Sequence, residues 1–341
     1  MNKVCLLMIF LCLNLQTIGQ NQNEALWTIA FYNLENLFHP SDDPNTFDDD
    51  RTPSGKDHWT YQRYHKKLAN MAKVIRGLDS QGPSIIGLCE LENRTVLQDL
   101  MHQEQLKDLD YGMIHFDSPD LRGVDVALLY RKSQFRPLSS QSIEVPLFDH
   151  QTNKRIWTRD QLLVYGELFG NPLYIMVNHW PSRSGGKQRS APNRQVAARV
   201  SKRLADSILR LNPSAQLIVM GDFNDNPDDT SLKMLLQNPR LINPMQRIHE
   251  KGHGSLAFRD TWFLFDQMIL SRNFTSNERG LTSSSSGSLK LRKVGIHAPY
   301  YLKTPDGRFK GYPFRSMQGG RFTGGYSDHF PVYIQLTKVL N

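Results

Sequence analysis

Apolar residues along this chain fall into short runs that stop abruptly at polar clusters. Runs at 26–32, 84–89, 126–130, 162–168, 173–177, 216–220, 265–270 and 330–336 have the length and β-branched content of buried strands. Between them lie helical patterns. Leu68, Met71, Ala72, Ile75 and Leu78 recur at helical spacing, with Arg63, Lys66, Lys67, Lys73 and Arg76 on the wetter positions. Residues 95–109 and the basic stretch 195–211 read as two further helices. The segment 39–57, with Pro40, Pro44, Pro53 and Gly55, reads as an inserted loop, and the Ser/Gly tract 283–288 as a loop tip. Strands and helices intermix from end to end without an internal repeat, which predicts an α/β architecture.

Composition bounds the reading. The 341 residues are 39% apolar and 10% aromatic, enough for a large core and too much for a disordered chain. Lys3 precedes the apolar run 4–13, and Thr17, Ile18 and Gly19 supply small residues before Gln20. This pattern predicts a signal peptide over 1–19, a mature domain over 20–341 and a periplasmic or extracellular destination. The run falls short of the ~20 residues a membrane span requires. Cleavage would leave Cys89 as the single cysteine, so no disulfide framework holds the domain. Net charge is +8. It concentrates near the C-terminus, where Lys290, Arg292, Lys293, Lys303, Arg308, Lys310, Arg315 and Arg321 face only Asp306. Aromatic residues interleave with these cations between 300 and 326, the pattern of a platform for a polyanion with planar bases, or of an insertion packed onto the domain.

The polar clusters carry the chemistry. They are Asn33 and Glu35 in FYNLENLF, Glu90 in GLCELEN, Asn178-His179 in VNHWPSR, Asp222 and Asn224 in GDFND and Ser327-Asp328-His329 in SDHFPV. Singly, each could cap a helix or form a turn. Acids, amides and histidines ending so many buried strands point instead to one shared site.

In this order the motifs resemble those of the endonuclease/exonuclease/phosphatase superfamily, the group of deoxyribonuclease I, and the likeness spans nearly the whole of 20–341. It implies a four-layer sandwich of two packed mixed β-sheets flanked by helices. The resemblance further implies that Glu90, with Asn33 and Asp328, binds Mg²⁺ or Mn²⁺. It makes Asp222 the group that orients or deprotonates water, Asn224 a holder of a phosphate oxygen, Asp266 the partner of His329, and His179 a donor on the opposite side of the phosphate. Glu35 most resembles a supporting acid behind the site. Hard oxygen ligands suit such cations, and the sequence offers no Cys/His spacing for structural zinc. Further cations that can reach a phosphate are Arg183, Lys187 and Arg189 in the Ser/Gly-rich loop after His179, together with Arg159 and Arg122.

The function expected from these residues is an exported, metal-dependent phosphodiesterase, foremost an endonuclease acting on DNA or RNA as a monomer. The same chemistry serves small phosphoesters and sphingomyelin-like lipids, and the fold also permits a non-catalytic binding module. Phe-Asp-Gln around Asp266 departs from the Cys-Asp-Arg usual in the inositol phosphatase branch.

Overall fold

The protein is described here by a computed structural model covering residues 24–149, 151–275 and 288–339. The expected leader 1–19 and the serines 283–286 lie outside the described residues. Twelve strands among the described residues build two six-stranded sheets. In chain order they are β1 (Glu24–Leu37), β2 (Ile85–Leu91), β3 (Tyr111–His115), β4 (Asp125–Arg131), β5 (Phe135–Ile143), β6 (Gln161–Leu168), β7 (Asn171–His179), β8 (Leu217–Asp222), β9 (Leu241–Ile242), β10 (Asp266–Ser271), β11 (Lys290–Ile296) and β12 (Val332–Val339). The first sheet runs β11-β12-β1-β2-β4-β3 and the second β9-β10-β8-β7-β6-β5.

Period-two alternation produces the layers. In β1, Ile29 and Phe31 face the second sheet and join Ile85, Val177, Met220, Met268 and Ile334 in a core between the sheets. Ala30 and Tyr32 point the other way, under α1 (Tyr61–Gly77) and α2 (Arg94–Met101). On the far side, Ala197, Ala198, Ala205 and Leu209 of α3 (Lys187–Leu211) cover Met176, Leu217, Val219 and Ile269. The result is the expected α/β four-layer sandwich.

Each sheet contains one parallel pair, β1 with β2 and β7 with β8, while the remaining neighbours are antiparallel. Parallel strands deliver their carboxyl ends to the same edge, and both pairs end in the polar clusters. Gly221 permits this in β8. A Cβ there would lie 2.3 Å from the Asn178 carbonyl oxygen of β7, so the strands could not close.

Several local expectations change. The helix expected over 95–109 stops at Met101 and is followed by a separate turn of 3₁₀ helix, Lys107–Leu109. Helix α3 starts at Lys187, well before 195, and accommodates Pro192 inside it. Strands β3, β5, β9 and β11 were missed. All four are edge strands, and β5 is largely polar and carries Pro137, which removes the usual strand signal. Lys67, read as a wet position of α1, is 1% exposed, because the C-terminal segment folds over that face of the helix.

Candidate active site

The site lies where the carboxyl ends of the two parallel pairs meet across the seam between the sheets. In the first sheet, pairing of β2 slips on both sides at Glu90: register shifts occur between Asn33 and Leu37 and between Cys89 and Leu91. Glu90 itself has φ 58°, a left-handed conformation rare for a residue with a side chain. The bulge lets Cys89 remain in the inter-sheet core while Glu90 is re-aimed at the rim. Glu35, Asn36 and Asn224 at this site share the positive φ.

Asn33 sits between the two sheets' acids. Its Nδ2 donates to Glu90 Oε1 at 3.1 Å and to Asp222 Oδ2 at 3.0 Å, while its Oδ1 accepts the Glu35 N–H at 2.8 Å. The amide therefore turns its nitrogen, rather than the oxygen expected of a metal ligand, towards Glu90. Asn36 N donates to the other Glu90 oxygen at 3.0 Å. His179 Nε2 lies 3.7 Å from Glu90 Oε1 and 3.8 Å from Asp222 Oδ2, beyond hydrogen-bond distance of either. Its Nδ1 is buried without a hydrogen-bond partner.

On the second sheet, Asp222 and Asp266 are direct cross-strand partners, an arrangement of like charges that is destabilising unless a cation intervenes. His329 supplies it. Its Nδ1 is 2.6 Å from Asp266 Oδ2, and its Nε2 lies 4.0 Å from Asp222 Oδ2 and 3.9 Å from Asp328 Oδ1. Ser327 Oγ donates to the Asn33 carbonyl at 2.7 Å and accepts the His329 N–H at 3.1 Å, tying this loop to β1. Ser255 Oγ accepts the Asp266 N–H.

Burial and charge set the protonation states. Burial alone would push His329 down, but Asp266, Asp222 and Asp328 hold it well above the ordinary histidine value, so it is an imidazolium. His179 goes the other way: burial first, then Arg159, Arg122 and His329, drive it well below its ordinary value, so it is a neutral ring. Burial, reinforced by Asp266 and Glu90 against the opposing pull of His329 and the Asn224 N–H, raises Asp222 to about 7. The buried acid Glu35 is raised by desolvation and by Asp328, against the pull of Lys67 and Arg315.

The structure brings Asn33, Glu90, His179, Asp222, Asn224, Asp266, Asp328 and His329 to one rim. Asn224 N donates to Asp222 Oδ1 at 2.9 Å, and its side-chain nitrogen reaches the Trp180 carbonyl at 3.0 Å. Asp328 is set apart from Glu90, its Oδ2 accepting from Arg315 at 2.9 Å.

The flanking cations are less free than the sequence suggests. Arg183 donates to the Asn224 carbonyl at 2.8 Å and pairs with Asp225 and Asp229 at 3.0 and 2.6 Å, so it braces the GDFND turn instead of waiting in a loose loop. Lys187 pairs with Asp229 at 2.5 Å, and Arg159 is buried against Asp120 at 3.0 Å and the Trp180 carbonyl at 2.8 Å. Arg122 is half exposed beside Asp120, and Arg189 is exposed on the first turn of α3.

Three supporting residues escaped sequence reasoning. Arg315 bridges Glu35 at 3.2 Å and Asp328, Lys67 Nζ donates to the Glu35 carbonyl and to Ser316 Oγ, and Ser316 N and Oγ both donate to Glu35. Cys89 also lies by the site, its Sγ within 4.8 Å of ligand atoms of His179 and Asp222. Only Cys89 carried a signal, its place next to Glu90.

The profile of the Endonuclease/Exonuclease/phosphatase family matches residues 28–338. The chain belongs to this family. Among curated proteins none matches significantly. Solved structures of other family folds superpose over most of their length. Danio rerio TDP2 in complex with a single-strand DNA product has a TM-score of 0.53 at 16% identity, covering 92% of this chain and 99% of that one. A mannosyl-6-phosphatase of Bacteroides thetaiotaomicron gives 0.53 at 17%, covering 91% and 99%, and the human Nocturnin catalytic domain with bound sulfate gives 0.53 at 15%, covering 91% and 94%. At such identities the likeness concerns the fold, and family members on it include phosphodiesterases and phosphatases.

Proposed function

We propose that this chain is a divalent-metal-dependent phosphodiesterase that hydrolyses DNA or RNA, and that it works outside the cytoplasm once residues 1–19 are removed. The observation that carries the catalytic reading is the Asp266–His329 pair at 2.6 Å, aimed past Asp222 towards the side of the seam that holds Glu90 and His179. A structural ion pair would have no need of a third acid and a neutral histidine facing the same gap.

The donor set fits a hard cation. Glu90, Asp222, Asp266 and Asp328 converge at the rim, whereas the Glu90 oxygens accept only from the neutral groups Asn33 and Asn36. Glu90 would hold Mg²⁺ or Mn²⁺, with Asp328 joining only if it leaves Arg315 and Asn33 only if its amide rotates. The ion would neutralise phosphate charge and polarise the phosphoryl group. The remaining work falls to the chain itself. Asp222 accepts a proton from the attacking water and orients it. His329, kept cationic by Asp266, donates through Nε2 to a phosphate oxygen. Neutral His179 donates from the opposite wall, and Asn224 holds a second phosphate oxygen.

A second reading is hydrolysis of small phosphomonoesters. It draws support from Arg159, Arg183 and Lys187, whose carboxylate partners leave fewer free cations beside the site for a long polyanion. The deciding experiment incubates the protein with Mg²⁺ or Mn²⁺ and plasmid, single-stranded DNA, RNA, sugar phosphates, inositol phosphates and sphingomyelin, with EDTA as control. Nuclease products abolished by EDTA support the proposal. Release of phosphate from sugar phosphates alone favours the second reading, and inertness on every substrate would leave a binding module.

A further inference from the structure

Two clefts border the catalytic rim, one beside Asp328 and one beside Pro181, and both combine exposed aromatic rings with arginines. The first, about 310 Å³, opens beside Asp328 and Arg315. Its walls are the tip of a hairpin formed by Leu256–Phe258 and Thr261–Phe263 and the segment 304–318. Phe258 is 59% exposed and Phe309 38%, large values for phenylalanine, and the guanidinium groups of Arg259 and Arg308 lie 5.2 and 5.7 Å from the respective ring centres. The hairpin tip is held in place, because Tyr312 Oη donates to Asp260 Oδ1 at 2.5 Å.

The second cleft, about 420 Å³, begins at Pro181 and Ser182, immediately after His179-Trp180, and is lined by Trp157, Arg159 and Arg189. Trp157 is 47% exposed, and Arg155 lies over both Trp157 and Phe148, 5.0 and 5.3 Å from their ring centres. Thus exposed Arg189 lines this cleft beside Arg159, which Asp120 holds in place, whereas Arg183 and Lys187 are held by Asp229.

We infer that these two clefts are subsites of one track, in which an unpaired nucleic-acid strand crosses the catalytic rim with a base held on each side of the scissile phosphate. The inference rests on the nuclease reading and adds to it strandedness and internal cleavage. Exposed aromatics stack bases irrespective of sequence, and neighbouring guanidinium groups meet the backbone. Clefts of this size can each seat one nucleoside. A substrate that occupies both must extend past the cut in both directions, so the track selects strand interiors over ends. Loose basic residues on a smooth surface would instead favour duplex through its charge density alone.

The test compares wild type, Phe258→Ala/Phe309→Ala and Trp157→Ala on a fluorescent single-stranded 12-mer, the matching duplex and bis(p-nitrophenyl) phosphate, a diester too small to span the clefts. Thermal melting checks that each variant is folded. The ratio of kcat/KM for the 12-mer to that for the small diester should fall roughly 10- to 100-fold in each variant, mainly through KM, and wild type should cut the single strand internally and faster than the duplex. An unchanged ratio in folded variants overturns the track while leaving the nuclease reading intact. A drop in only one of the two variants overturns the two-sided arrangement. Wild type that hydrolyses the small diester but no oligonucleotide brings down both readings together.

Discussion

Asp266→Asn isolates the charge that the site depends on. The substitution preserves size and removes the carboxylate 2.6 Å from His329 Nδ1. At an effective dielectric of about 20, unit charges ~4 Å apart interact by about 4 kcal/mol. Asp222 and Asp328, at 4.0 and 3.9 Å from Nε2, retain part of that field. With each 1.4 kcal/mol equal to a factor of ten, kcat for bis(p-nitrophenyl) phosphate with Mn²⁺ should fall about 10²- to 10³-fold at pH 8. The pH profile separates this cause from mere loss of shape. Because Asp266 helps raise His329 above its ordinary value, the imidazolium survives into alkaline solution in the wild type. In the variant it should deprotonate earlier, so the deficit grows with pH and narrows towards pH 5.5. A variant with near wild-type rates at pH 8, or one impaired by the same factor across the range while still folded, would refute the electrostatic account of His329.

Other consequences can be measured directly. Glu90→Ala should abolish metal binding seen by titration calorimetry and reduce turnover by at least about 10²-fold, while leaving the far-ultraviolet circular dichroism unchanged. Glu92 is raised from 4.5 to about 7, first by burial and then by Asp48 and Asp43. Its folded value exceeds its unfolded one, so the native state binds the extra proton between those limits and stability falls as pH rises through that window, by roughly 2–3 kcal/mol. Glu92→Gln should flatten that part of the urea-midpoint profile between pH 4.5 and 8. Gly221→Ala, which forces a Cβ to within 2.3 Å of the Asn178 carbonyl, should cost roughly 2–3 kcal/mol, read as a lower Tm accompanied by lost activity.

Much of the fold was legible because the central strands are apolar and the site residues end them. The cross-strand pairings of Asp222 with Asp266 and with His179 were not legible, because apolar runs do not give strand order, and Asp266 itself entered only through the family resemblance. The edge strands were not legible: β5 has the composition of a loop, since solvent can satisfy its outer backbone groups. Nor were the contacts of Arg315 and Lys67 with Glu35. Arg315 lies 280 residues from Glu35 in the chain, and a lysine on a helix reads as solvated until a distant segment covers it. The ion pairs of Arg183 were hidden for the same reason, since its acids belong to the turn after β8.

The bulge at Glu90 makes one residue serve two masters. Its neighbour Cys89 is packed at 0% exposure in the layer between the sheets, so the direction in which Glu90 points is fixed by how tightly that layer is filled. The catalytic gap thus behaves as a caliper: Glu90 rides on one jaw, Asp222 and Asp266 on the other, and the apolar filling sets the opening. Small changes deep in the filling, far from any phosphate, would be read out as changes in turnover before the protein loses its fold. Activity should accordingly fade ahead of ellipticity on mild heating.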